Sequence, residues 1–313
     1  MKKFIKRIFL FLLFWIGIYF ILLLVDWRVS RNYVWPQRYF CSWNHLYYDD
    51  MDDELLVFGS SRAQVHFSSK IITDSLGLKT YNFGLPGASI NYSYIQLREI
   101  LKHRKTPPRY VTLEVCFHTL MPRPLPYHYQ MMPKMLFNVN MFRYHGNNDV
   151  YPAGYFFVPM LRYFNYWKDL DLFNKETYYT CDGNGYIGEG STYNSKRNSE
   201  LANLSKTYIP YDEKQYGVLK KFIKTCKENN ISLLLVWTPE YYKYLDNLKE
   251  RAELEKCFEG IAKDNSIPFV NFVHSEICND SLNFENAMHL NANGSEKFTS
   301  EFYVPTFRKL YGL

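Results

Sequence analysis

Five short apolar runs punctuate the chain: Glu54–Phe58, Thr80–Phe83, Tyr110–Cys116, Ile231–Trp237 and Pro268–Val273. Most lack a strict alternation of apolar and polar positions, as strands do when both faces of their sheet are covered. Between them the spacing becomes helical. Residues 211–229 place Tyr216, Leu219, Phe222, Ile223 and Cys226 on one stripe with lysines opposite, and residues 246–264 do the same with Leu248, Ala252, Phe258 and Ile261. Each of these helices gives way to a polar, Asn-containing segment just before a strand. Strands alternating with helices predict an α/β sheet with right-handed crossovers. In an open sheet of this kind ligands bind beyond the carboxyl ends of the strands, so chemistry is to be sought in the residues that follow strands.

Residues 117–210 break the rhythm, with seven of the fourteen prolines and six of the fifteen glycines. The stretch is too long for a structureless loop in a compact domain. It reads as an inserted subdomain with helix around Tyr155–Leu170. Its twenty aromatic residues in ninety-four are about the same fraction as the 19% of the whole chain, which favours ordinary packing over sugar-stacking platforms.

The longest apolar run is at the N-terminus. Eighteen residues, Ile8 to Val25, carry no charge, about the length of a helix that crosses a bilayer core. A cleaved signal peptide would want a shorter run and a small-x-small cleavage site. The "DWRVSRNYVW" that follows offers none, so the expectation is an uncleaved anchor over residues 1–29 and an extracytoplasmic domain over 30–313. Lys2, Lys3, Lys6 and Arg7 precede the run and point the N-terminus to the cytoplasm, against the opposing pull of Arg28, Arg31 and Arg38.

With 313 residues, 47% of them hydrophobic, the chain can bury a sizeable core in one large domain or two small ones. The net charge of +6 comes largely from the four residues before the anchor. No basic stripe remains, which excludes a nucleic-acid partner. The six cysteines form no CxxC pair, against a zinc or thioredoxin-type site. Cys116 at a strand end and Cys226 and Cys257 on apolar helix faces read as small buried residues; disulfides stay open.

Four segments follow strands: Gly59-Ser60-Ser61-Arg62, "NFGLPGAS" (82–89), "TPEYY" (238–242) and "NAMHLNANGSEKF" (286–298). Ser61 alone is a common turn residue. His289, however, lies in a loop before the last helix, where Asn291 or Asn293 would cap. A serine after the first strand, a glycine after the second and this histidine can converge, and they are the parts of acyl transfer: nucleophile, base, and backbone donors for an oxyanion. Gly87, free of a side chain, lets its N–H approach closely. Ser61 and His289 should then lie within hydrogen-bond reach of each other, with the Gly87 amide facing the same space. Glu114 and Glu240 are strand-end carboxylates placed to line such a site, His118 is a candidate donor or ligand by position, and Arg62 reads as a surface residue or a support behind the site.

These blocks resemble the SGNH/GDSL hydrolase superfamily. "FGSSRA" is similar to its first block, whose serine nucleophile corresponds to Ser61. "NFGLPGAS" resembles the second, whose later glycine, Gly87 here, donates to the oxyanion together with the Ser61 N–H. "NAMHLN" resembles the Asp-x-x-His block, whose base is His289. The resemblance implies a three-layer α/β/α fold with a five-stranded, mostly parallel, flavodoxin-like sheet, here with an insertion at approximately 117–210, and it implies no metal or organic cofactor. A single N-terminal anchor is similar to members that serve cell-envelope acylation, such as the D-alanyl transfer protein of lipoteichoic acid and exopolysaccharide acetyltransferases. Those often work with a membrane-bound O-acyltransferase. The implied function is transfer or hydrolysis of O-acyl groups, such as acetyl, on a cell-surface glycan through a serine acyl-enzyme.

Two departures stand out. Cys116-Phe117-His118 replaces the family's Gly-x-Asn-Asp block, and Asn286 stands where the family has aspartate. Glu285 is the nearest carboxylate in sequence that could take the place of that aspartate. The competing reading is therefore a degenerate domain that binds glycan or an acyltransferase partner. A third, phosphate binding at the Gly59–Arg62 turn, lacks a P-loop lysine and a full Gly-x-Gly-x-x-Gly.

Overall fold

The computed structural model describes residues 2–32, 42, 45–46, 51–121, 160, 184–188, 190, 193, 212–245 and 251–313. The chain divides into two compact units, one of Met1–Trp43 with Tyr127–Tyr179 and the other of Asn44–Pro126 with Thr180–Leu313. In the first unit, helix α1 spans Lys2–Asn32. Its stretch Lys2–Asp26 is 25 residues long, and the most apolar 18 residues within it have a mean hydropathy of 3.0 with none of them buried. At 1.5 Å per residue that exceeds the roughly 30 Å of a hydrocarbon core. Phe9, Phe11, Trp15, Phe20 and Leu24 are all exposed around it. A helix apolar on every side has no polar face to offer water; it is long and apolar enough to span a membrane or act as a signal anchor.

The second unit is built on a five-stranded sheet of order β2-β1-β3-β4-β5, with every pairing parallel. The strands are β1 (Leu55–Phe58), β2 (Thr80–Asn82), β3 (Tyr110–Glu114), β4 (Ser232–Trp237) and β5 (Phe269–Asn271). All five fall inside the apolar runs. The runs are longer because their ends stay attached to the sheet: Phe83 N–H donates to Val57 O and Val115 N–H to Val236 O. β1 and β3 are buried throughout, which explains the all-apolar Leu55–Phe58, while β3 also buries Thr112 and Glu114, each with a hydrogen-bond partner.

Alternation along β1 and β3 separates the layers. Phe58 meets Phe222 of α5 (Glu213–Glu228) edge-on at 5.8 Å, and α5 packs with α4 (Ile90–His103). On the other face, Thr112 shares a 2.7 Å hydrogen bond with the Tyr303 hydroxyl and Tyr110 packs on Phe307. Those two aromatics come from the C-terminal helical segment: α7 (Ala292–Lys297), a π-helical stretch Phe298–Tyr303, and α8 (Val304–Tyr311). The fold is α/β/α, and the strand order is that of flavodoxin-like sheets.

Two helical stripes differ from expectation. In α5, Gln215 is buried and Tyr216 only half-buried, with Leu219, Phe222, Ile223 and Cys226 inside as expected. In α6 (Arg251–Asn265), Phe258 and Ile261 are buried but Ala252 is exposed, because the neighbouring Arg251 takes the inward position to meet Glu240. Cys116 and Cys226 are buried free thiols as expected, and Cys278 is a third. Cys257 is only half-buried, since Phe258 beside it fills the inward position. Leu248 and the helix expected around 155–170 lie outside the described residues.

Candidate active site

Order 2-1-3-4-5 reverses direction beside β1, which opens a crevice at the carboxyl end of that strand. There β1 gives way to Gly59, whose φ of +144° suits glycine and whose missing Cβ would lie 2.7 Å from the Glu114 side chain. The two serines that follow divide the work. Ser60 is structural: buried, it caps α2 (Ser61–His66) by accepting the Arg62 N–H, while Glu114 Oε2 at the end of β3 accepts its N–H (3.1 Å) and its hydroxyl (3.0 Å). Ser61 is half-buried, and its Oγ is 2.7 Å from Nε2 of His289.

His289 opens β7 (His289–Leu290), paired antiparallel with β6 (Phe284–Asn286). Asn286 organises this hairpin. Its Oδ1 is 3.0 Å from the N–H of Met288, the N–H of His289 and Nδ1 of the His289 ring. Two main-chain N–H groups can be answered only by an oxygen, so the backbone itself orients the amide. The ring nitrogen facing that oxygen must carry the proton. Nε2 then presents its lone pair to the Ser61 hydroxyl, which is the tautomer a general base needs.

The hairpin is held from three sides. Asn291 caps α7 by accepting the Gly294 N–H at 2.9 Å and donates to Leu282 O at 2.7 Å. The Tyr241 N–H, from the loop after β4, donates to Ala287 O at 2.9 Å. The Leu290 N–H donates to Nε2 of His66, at the end of α2, at 3.0 Å. The sequence reading did not single out His66. It lies five residues after Ser61 on the same short helix, and only its pairing with β7 sets it apart.

Behind Ser61 lies a buried ionic network, and of the two readings of Arg62 it is the support behind the site, not the surface residue, that fits. That side chain is 2% exposed. It donates to Thr238 O at 2.7 Å, to Thr238 Oγ1 at 2.9 Å and to Glu240 Oε1, and its Nε is 3.5 Å from Glu114 Oε1. Glu240 also accepts from Arg251 and from the Trp237 indole. Burial by itself would raise the Glu240 pKa and lower that of Arg62. Their mutual attraction prevails, holding the carboxyl at about 2 and the guanidinium above its ordinary range. Glu240 is fully enclosed by its partners, so it braces the site rather than lining it. Burial, then the nearby Glu114 carboxylate, pushes the Cys116 thiol up to about 12, which disqualifies it as a nucleophile.

Glu114 lines, with Ser60, Ser89, Ser93 and His118, a cavity of about 10 Å³, room for about one water molecule. His118 is half-buried against Phe117. Gly87 is exposed with φ +72°, and a Cβ there would meet open space. Within the same turn it is Gly84 that packs against protein, since a Cβ there would lie 2.3 Å from the Gln64 nitrogen of α2. Glu285 is half-buried in β6 beside Asn286. Among the described residues no cluster of three His, Cys, Asp or Glu could hold a metal.

No protein-family model and no curated protein matches the chain. Among solved structures, it is similar to a presumed acylhydrolase from Bacteroides fragilis NCTC 9343, at 12% identity over 83% of this chain and 90% of that one, with a TM-score of 0.42. A GDSL-like lipase from Bacteroides thetaiotaomicron VPI-5482 is similar at 11% identity over 82% and 89%, with a TM-score of 0.40.

Proposed function

We propose that the α/β unit is an SGNH-type serine acyltransferase or esterase, displayed outside the cytoplasm on α1 and acting on O-acyl groups of a cell-envelope glycan. One observation carries the chemistry. Ser61 Oγ and His289 Nε2 lie 2.7 Å apart, with the opposite ring nitrogen held by Asn286. The Ser61 oxygen attacks the acyl carbonyl as its proton passes to His289 Nε2. The carbonyl electrons move to oxygen, where the Ser61 and Gly87 N–H groups stabilise them. Collapse expels the donor alcohol, which takes the proton from His289 and leaves an ester on Ser61. A glycan hydroxyl or a water then repeats the sequence in reverse. A neutral Asn286 gives the imidazolium no countercharge, so turnover is slow. Acyl donor and glycan are the substrates, and a membrane-bound O-acyltransferase is the partner class that fits.

A fluorophosphonate probe tests the chemistry. It is expected to label the full-length protein at Ser61, with labelling lost in Ser61→Ala and retained in Ser60→Ala. A wild type that takes no label would instead favour a glycan- or partner-binding domain. The placement is tested separately by a reporter fused after Leu313. Activity outside the cytoplasm, with residues near Met1 retained, is expected. A soluble product trimmed after residue 25 would overturn the anchor.

A further inference from the structure

We infer that His66 is the positioning residue for His289: its Nε2 sets the distance between the strand that carries the base and the helix that carries Ser61. The inference rests on the reading of Ser61 and His289 as nucleophile and base.

Helix α2 carries Ser61 at its first position and His66 at its last, and β7 carries His289 followed by Leu290. Two hydrogen bonds between side chain and facing strand join these elements. One is Ser61 to His289, at 2.7 Å; the other is the Leu290 N–H to His66 Nε2, at 3.0 Å. The first is consumed whenever the serine proton moves, so it cannot hold the geometry during reaction. The second takes no part in proton transfer. β7 is only two residues long with an irregular register against β6, and its other bonds, the His289 N–H to Asn286 Oδ1 and the Asn291 N–H to Asn283 O, tie it to its own hairpin rather than to α2.

The ring is committed to this task. A main-chain N–H donor demands a lone pair on Nε2, so the His66 proton sits on Nδ1. That nitrogen is buried without a hydrogen-bond partner among the described residues, a cost that an apolar residue in the same fully buried place would avoid. Burial, then the charge of Arg62 and the proximity of His289, holds the ring in its neutral form. The backbone of His66 is itself anchored from behind: its carbonyl accepts the Thr299 hydroxyl at 3.1 Å, and the same hydroxyl accepts the Ser68 N–H at 3.1 Å. Asn82 donates to the flanking carbonyls of Ala63 and Phe67. His66 therefore presents a fixed acceptor on a fixed helix end.

The test uses full-length protein in detergent micelles, with two substitutions. His66→Phe keeps the bulk and removes the acceptor, whereas His66→Gln returns an acceptor at similar reach. Fluorophosphonate labelling gives a maximal rate and an apparent affinity, and hydrogen–deuterium exchange follows peptides covering 284–291. In His66→Phe the maximal rate is expected to fall by about 10²-fold with the affinity unchanged, the scale of an ångström-sized misplacement. Exchange over 284–291 should quicken. His66→Gln should recover both, which a loss of mere bulk or stability would not produce. Wild-type labelling in His66→Phe, or a His66→Gln variant as slow as His66→Phe, would overturn the inference. If the wild type itself takes no label, the serine-ester reading falls and exchange alone decides. Quickened exchange in His66→Phe restored by Gln supports the positioning role, and unchanged exchange refutes it.

Discussion

Glu240→Gln is expected to lower the stability of the α/β unit by about 3–5 kcal/mol, the usual cost of breaking a buried ion pair from one side. Glu240 is fully buried and accepts from Arg62, Arg251 and Trp237. Removing its charge leaves Arg62 with Glu114, 3.5 Å away, and Arg251 with only the more distant Glu255, at 4.0 Å. Urea unfolding should show the loss directly. Glu54→Gln, which breaks the exposed 3.0 Å pair with Arg109, should cost no more than about 1 kcal/mol. The pH dependence has a definite sign. Glu240 is held at about 2, below its ordinary 4.5. Its contribution is complete above pH 4.5 and is lost as pH falls through about 2, because the unfolded chain takes up the proton first, at about 1.4 kcal/mol for each pH unit. Wild type should weaken through that window, and Glu240→Gln should lack this part of the slope. Equal stability of wild type and Glu240→Gln at neutral pH would show that the network is not holding the turn.

The sheet was legible because parallel strands covered on both faces leave short, mostly apolar runs without strict alternation, and the residues marking the site lie where those runs stop. Helix faces were less legible. Arg251 and Gln215 point inward where apolar periodicity would place Ala252 and Tyr216. An ion pair with a residue eleven positions away has no period to reveal it. The same limit applies to Arg62: its place after a turn left it open between the surface and a support behind the site, and only the fold brings Thr238, Glu240 and Glu114 around it.

Within the site, order along the chain was enough to nominate Ser61, His289 and Asn286. It could not tell Ser60 from Ser61 by physics. That distinction depends on Glu114, 54 residues from Ser60, which captures the Ser60 hydroxyl and its N–H. Nor could it show that Gly84 packs against α2, because Gly84 and Gly87 share one turn and differ in what lies opposite.

Asn286→Asp is expected to speed fluorophosphonate labelling of Ser61 by about 10- to 10²-fold near pH 8. The size follows from which function an asparagine loses. In a serine protease, exchanging the triad aspartate for asparagine costs about 10⁴-fold largely through the wrong imidazole tautomer. Here the Met288 and His289 N–H groups pin Oδ1 toward the ring, so the tautomer is already right. What is missing is a negative charge to stabilise the imidazolium, and restoring it recovers only that part. The new carboxylate would inherit two main-chain donors and stay ionised at neutral pH. It would also raise the pKa of His289, so a larger fraction of the base is protonated and idle as pH falls. The gain should therefore be larger at pH 8 than at pH 6. Glu285→Gln should change the rate little at either pH. If Asn286→Asp labels no faster while Glu285→Gln abolishes labelling, the partner of His289 is Glu285, and Asn286 serves the hairpin alone.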